Sequence, residues 1–292
     1  MVTMTDFNAI STIAYRDLLK FMRDRPRIIS SFVFPFVFIA VLGTSFQASM
    51  GSLVGYNFAL YTFTGVYAQT LFQSAAFGVI SLIEDRDNDF SQEIFVSPIS
   101  RYSIIFGKIL GESLVAMAQG IGILAFGVIV AVSSGVSMSA AQLLGLVPTG
   151  IAGCLLGGAF GVIILANLPS RRAAEQVFPF IMLPQYFLAG VFNPIINMPP
   201  VVNFLSSISP LRYAVDLTRG IFYSGTADSA AQALASPTLN TNLVHAIFRT
   251  GTADTIRPVL ASPMLNSTVM AAMFAAFLFA GTVLFVRAER NR

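Results

Sequence analysis

Long apolar stretches separated by short polar breaks dominate the chain. Six lie near Ile28–Phe46, Asn57–Ile83, Ile109–Val132, Leu143–Ala166, Val177–Phe192 and Ser267–Val286. A hydrocarbon core about 30 Å thick takes roughly 20 helical residues to cross. Lipid offers nothing to unpaired backbone groups, so the pattern predicts six transmembrane helices. A transmembrane barrel would instead alternate polar and apolar positions over segments of about ten residues, and the sequence shows no such alternation.

Residues 1–27 carry a different pattern. Phe7, Ile10, Ala14, Leu18 and Phe21 recur at three- and four-residue steps and share one helical face, with Arg16, Lys20 and Arg23 on the other. Such a helix suits the headgroup layer, its basic side turned to anionic lipid or to a cytoplasmic partner. A simple topology anchor explains the same basic residues. The first apolar run follows a long charged leader and is long enough to span, so it reads as a retained helix rather than a cleaved signal.

The fifth stretch is irregular. Pro179 and Pro184 lie inside it, Gly190 near its end, and Asn193, Pro194, Pro199 and Pro200 just beyond. Proline removes a backbone donor, and a broken helix deep in lipid needs a protein or water-filled neighbour. The pattern predicts a broken helix followed by re-entrant segments on the outer side, against the plainer reading of a kinked helix and a loop. Within that region Pro210, Tyr213, Asp216 and Arg219 fit one helix face, and Asp216 and Arg219 stand at a pairing distance of three residues.

Composition agrees with the pattern. The chain is 292 residues long, 55% hydrophobic and 11% charged, with a mean hydropathy of +0.75. Soluble domains carry about 25% charged residues, so a soluble enzyme, a nucleic-acid binder and a disordered chain are all disfavoured. The distribution of charge then sets orientation. Thirteen of the 17 Lys and Arg residues fall where a both-termini-inside arrangement puts the cytoplasm, and the opposite loops 47–56 and 133–142 have none.

Little chemistry is available. Cys154 is the one cysteine and His245 the one histidine. No G-x-x-x-x-G-K-[ST] loop occurs, no H-E-x-x-H, and no pair of aspartates within the spans, so neither a catalytic nor a metal site is expected and ATP would be handled by another subunit. Ion-coupled carriers usually show ionisable groups at mid-membrane; Glu112, close to the cytoplasmic surface, is the nearest candidate. Polar groups in the spans are few, chiefly Gln69, Gln73, Gln119 and Gln185, with Tyr186 beside the last. They either bond helix to helix or line a sparsely polar path, with Gln69, Gln73, Gln185 and Tyr186 the path candidates.

The loop 84–108 reads EDRDNDFSQEIFVSPISRYSIIFGK. Its charges Glu84, Asp85, Arg86, Asp87, Asp89 and Glu93 surround apolar Phe90, Ile94 and Phe95, which suits a short amphipathic helix stopped by Pro98. A helix of that kind docks into a groove on another protein; a solvated turn has the same composition. The pattern E-D-R … F-x-S-P-I-S-R-x-x-I-x-x-G-K after the second span resembles the permeases of the ABC type-2 exporter family, nearest to the daunorubicin-resistance type of multidrug and lipid exporters. LPQYFLAGVFNPIINMPPVVNFLSSISPLRYAVDLTRG resembles the same family's region after span five. The resemblance covers nearly the whole chain, from Tyr15 to Arg287.

The resemblance implies an all-α membrane protein: residues 1–27 an interfacial connecting helix, 28–292 a six-span domain. Within it, 84–108 holds a coupling helix whose Glu84–Ile94 contacts a separate ATP-hydrolysing subunit, which carries the ATP and Mg. Residues 193–266 hold re-entrant helices that cap the exit, with Pro194, Pro210, Tyr213, Asp216 and Arg219 among them. A second permease copy completes the path, in the bacterial cytoplasmic membrane, with drugs, lipids or glycolipids as cargo and no nucleic acid. The expected function is export of a hydrophobic or amphiphilic cargo; an ion-coupled carrier or channel is the rival. Finally, GTADSAAQALASPTLN (225–240) returns as GTADTIRPVLASPMLN (251–266), ten of sixteen positions identical. It is either a tolerated outer duplication or a lid over the exit.

Overall fold

The computed structural model describes residues 4–45, 48, 58–87, 100–133, 138–166, 168–192, 199–223 and 261–290. Among the described residues every regular element is a helix: α1 (Met4–Arg23), α2 (Arg25–Val37) running into a π turn (Phe38–Gly43), α3 (Phe58–Gly78), α4 (Ser81–Asp87), α5 (Arg101–Ser133), α6 (Ala140–Leu165), α7 (Arg171–Leu188), α8 (Pro200–Ile208), α9 (Pro210–Tyr223) and α10 (Pro263–Arg290).

Local chemistry sets the ends. Asp24 accepts a hydrogen bond from Arg27 N, with Pro26 in the first turn of α2. Ser139 and Gln142 form a capping box at the start of α6, and Ser170 accepts from Ala173 N at the start of α7.

Among the described residues five helices are long and apolar enough to cross a membrane: Arg25–Gly43, Ala59–Asp85, Arg101–Ser133, Ala140–Leu165 and Pro263–Ala288. They coincide with expected spans one to four and six. The expected fifth, Val177–Phe192, belongs to α7, which starts six residues earlier with Arg171, Arg172 and Glu175. Those three charges in an 18-residue helix keep α7 out of the five. The prolines do not break it: α7 runs through Pro179 and Pro184 to Leu188. The break falls at Gly190, whose φ of 66° lies in the left-handed region that glycine tolerates. Gly190 N bonds to Phe187 O and Val191 N to Tyr186 O, the paired bonds of a Schellman ending.

Helix α3 is the axis of the bundle, in contact with α5, α6, α9 and the π turn. Phe63, Val66, Tyr67, Leu71 and Phe72 on it are wholly enclosed. Helix α6 reaches α3 through small residues: a Cβ on Gly157 would stand 2.2 Å from the Phe72 carbonyl oxygen, so only glycine permits this approach. Helix α10 covers α6 and α9, while α7 stands at the edge with Phe180, Leu183 and Phe187 exposed. The helices run up and down, which places α1 and the end of α10 at the same end of the bundle.

Helix α1 lies along α5. Its contact face differs in detail from the apolar stripe: Ala14 and Phe21 are buried, Ile10 and Leu18 half-buried, and Phe7 exposed. The acids Asp6 and Asp17 complete the buried face.

Candidate functional site

At the end of the bundle where α1 lies, four charged side chains from three elements meet. Lys108 on α5 is buried, with Nζ 2.9 Å from Asp17 Oδ2 on α1 and 3.3 Å from Asp85 Oδ2 on α4. Arg16 closes the group, 2.8 Å from Asp85 and 3.3 Å from Asp17. Burial alone would lower the pKa of the Arg16 guanidinium; the charges and hydrogen bonds of Asp85 and Asp17 outweigh it and hold it above its ordinary value. A second tie lies further along α1. Asp6 Oδ1 accepts from Ser100 N at 3.2 Å and from Ser103 Oγ at 2.9 Å, where Ser100 caps the start of α5. Helix α1 therefore holds both feet of the loop 84–108, one through Arg16 at Asp85 and one through Asp6 at Ser100, with Asp17 on Lys108 beside them.

Beside this junction a cavity of about 750 Å³ runs into the bundle between α2, α3, α5 and α7. Lys20, Asp24, Arg27, Glu84, Arg171 and Glu175 line its outer part, and Arg171 bridges Glu84 (2.7 Å) and Glu175 (2.8 Å). Further in come Phe34, Phe77, Thr70, Gln73, Glu112 and Gln119. Glu112 Oε1 accepts from Ser81 Oγ at 3.1 Å; Oε2 stands 3.7 Å from Arg27 Nη2 and has no hydrogen-bond partner among the described residues.

The polar line continues beyond the cavity. The Tyr186 hydroxyl donates to Gln73 Oε1, joining α7 to α3. Gln69, one turn away, is fully buried beside Tyr186, and neither its Nε2 nor its Oε1 has a hydrogen-bond partner among the described residues. Thr62 Oγ1 and Thr70 Oγ1 on the same helix also lack a partner among the described residues. Gln185 Oε1 accepts from Ser209 Oγ at 3.5 Å, and Ser206 Oγ donates to Leu188 O at 2.6 Å, so α8 and its connection to α9 are tied to the end of α7.

Arg219 of α9 secures the far end. Its guanidinium lies 3.6 Å over the Tyr61 ring and donates to Val191 O at 3.0 Å, immediately past the Gly190 break, while Tyr61 OH donates to Gly190 O at 3.1 Å. Asp216 does not take Arg219 as its partner: it accepts from Ala261 N at 2.9 Å and Asn266 Nδ2 at 2.7 Å, docking the start of α10. Pro210 is buried at the head of α9, and Tyr213 OH donates outward to Ser207 O.

The structure thus brings Gln69, Gln73 and Tyr186 together and puts Gln185 next to them. It joins Glu84 and Asp85 to α7, α1 and α5. Arg86 and Asp87 lie in the last turn of α4, and Asp89, Phe90, Glu93, Ile94 and Pro194 lie outside the described residues, as do 225–260, most of the duplication. In the sequence Lys108 stands only as the last residue of the loop 84–108, and Asp6 and Asp17 have no assigned part. Their visible sign was acids at positions 6 and 17, in phase with the apolar stripe at 10, 14 and 21.

Residues 8–223 match the ABC-2 type transporter family. The chain belongs to that family. This ABC-2 chain is a multi-pass membrane protein, and the match runs from within α1 to the end of α9. Among its relatives, the probable multidrug ABC transporter permease YbhR of Escherichia coli (strain K12) is 28% identical over 144 residues, 49% of this chain and 38% of YbhR. The putative transport permease ycf38 of Porphyra purpurea is 25% identical over 223 residues, 74% of each chain. The ycf38 protein of Cyanophora paradoxa is 24% identical over 208 residues, 69% of this chain and 70% of the relative. The ABC-2 chain's match thus spans well under half the length of YbhR.

Proposed function

We propose that this chain is the permease subunit of an ABC exporter that moves an amphiphilic or hydrophobic cargo outward, powered by a separate ATPase subunit. The carrying observation is the cavity of about 750 Å³ that opens beside the α1–α4–α5 junction and continues into the Gln73–Tyr186 line. Its size suits a small amphiphile, with a wall of charged and polar groups broken by the apolar surface of Phe34, Pro35, Phe77 and Ile80. The end holding α1 is cytoplasmic in this reading, by the excess of Lys and Arg there. Helix α7 counts as the fifth of six spans, its exposed apolar face and that of α2 covered by lipid and by a second copy of the chain.

The loop from Glu84 docks on the ATPase. Because α1 grips the loop at Asp85 and at Ser100, force applied to the loop moves α1, α4 and the start of α5 together, and with them the cavity wall. Helices α8 and α9 cap the outer end, latched by Arg219. ATP and Mg stay on the partner. The membrane is the cytoplasmic membrane of a bacterium, and the duplicated segment 225–266 sits outside.

Affinity purification in mild detergent tests the reading. A subunit with a Walker A loop should come down in near-equal amount, and substituting Glu84→Gln with Phe90→Ala should release it while leaving the chain folded. Recovery of the chain alone, also after extraction into lipid nanodiscs, would count against the reading and favour an ion-coupled carrier.

A further inference from the structure

The deepest ionisable group of the cavity that is not fully engaged is a carboxylate. Glu112 is 3% exposed, takes one hydrogen bond, from Ser81 to Oε1, and leaves Oε2 without a hydrogen-bond partner among the described residues. Its nearest cation, Arg27, stands at 3.7 Å, inside ion-pair reach and beyond a hydrogen bond. Lys108, one turn back on α5, is committed to Asp17 and Asp85. A buried carboxylate with a spare oxygen is costly unless a cation arrives to meet it.

Arg27 is a weak competitor for that oxygen. Its side chain is 44% exposed against 4% for Glu112, and it already lies over the Phe21 ring at 5.6 Å, where it keeps a seat when it lets Glu112 go. The cavity as a whole leans the same way, with five acids against four bases along its wall. Phe34 and Phe77 give apolar and aromatic surface beside Glu112 for the body of a ligand.

We propose that Glu112 is the recognition group for a cationic head, an ammonium or amidinium on an apolar body, which enters the cavity and takes the place of Arg27. The proposal rests on the permease reading for its purpose and narrows the cargo to amphiphilic cations; the binding itself needs no ATPase.

The test uses the full chain in phosphatidylcholine nanodiscs, so that the lipid brings no net charge, with empty discs as the blank. Three fluorescent probes share one aromatic body: dansylcadaverine, its N-acetyl form and dansylglycine, which are cationic, neutral and anionic. The amine should bind about tenfold tighter than the acetylated probe, and the anion weakest. Glu112→Gln should bring the amine level with the acetylated probe and leave the latter unchanged, which also shows that the variant is folded. Arg27→Gln, independent of any fault in the first variant, should tighten amine binding several-fold.

Equal binding of amine and acetylated probe, a Glu112→Gln effect of the same size on both, no probe binding at all, or weaker amine binding in Arg27→Gln would each overturn the proposal. ATP-driven movement of the acetylated probe, unaffected by Glu112→Gln, would overturn it and leave the exporter reading standing. Amine binding through Glu112 in a chain that moves nothing with any ATPase would overturn the exporter reading alone.

Discussion

Lys108 Nζ sits 2.9 Å from Asp17 Oδ2, and both side chains are almost fully buried. The pair joins the third apolar helix to the leader helix that runs beside it, and Asp85 extends the tie to the loop. Removing one member of a buried pair leaves the other charge stranded, at a cost of about 3–5 kcal/mol. Lys108→Ala should therefore lower the melting temperature in detergent sharply and expose α1 to protease. Lys108→Met with Asp17→Leu, which removes both charges, should recover a large part of the loss. A melting curve and limited proteolysis of the three proteins check this.

Asp6 makes a finer version of the same prediction. It accepts from Ser100 N and Ser103 Oγ at the return foot of the loop. Asp6→Ala should cost about 1 kcal/mol, the usual size of a lost helix cap. The larger effect should fall on coupling: ATPase binding retained, cargo moved per ATP reduced. Comparing hydrolysis with transport in one preparation reads both.

At the opposite end Arg219 stacks flat on Tyr61 and donates to Val191 O. A lysine keeps the charge and loses the plane and the fork of donors. Arg219→Lys should behave nearly as badly as Arg219→Ala, with each losing about 2 kcal/mol of stability, the scale of a desolvated cation–π contact. Thermal unfolding of the two variants side by side is the check.

Gly157 tests the core. Any Cβ there meets the Phe72 carbonyl oxygen at 2.2 Å, backbone against backbone, with no flexible side chain to give way. Gly157→Ala should cost at least the 1–3 kcal/mol of an overpacked core, and Gly157→Leu should abolish folded expression, as size-exclusion profiles would show.

Much of this architecture was legible in the sequence because lipid imposes a simple code: long apolar runs become helices, and five of them stand where the runs lie. The fifth expected span shows the limit of that code. Pro179 and Pro184 suggest a break, yet each costs only local hydrogen bonds, and α7 absorbs both and stops at Gly190. Asp216 and Arg219 fit the spacing of a pair, but α9 is buried on several sides, and each finds a distant partner at Asn266 or Tyr61. Lys108 resembles any basic residue at the foot of a span; only the acid at position 17, in phase with the leader's apolar stripe, hints that it is enclosed. Contacts such as Tyr186 to Gln73, 113 residues apart, leave no local trace.

The most direct test of the exporter reading is cargo movement in inside-out vesicles holding this chain with its co-purified ATPase, followed with dansylcadaverine. The expected result is uptake that requires ATP, stops with a hydrolysis-dead ATPase and persists when ionophores collapse the ion gradients. Uptake that proceeds without ATP and vanishes with the ionophores would contradict it.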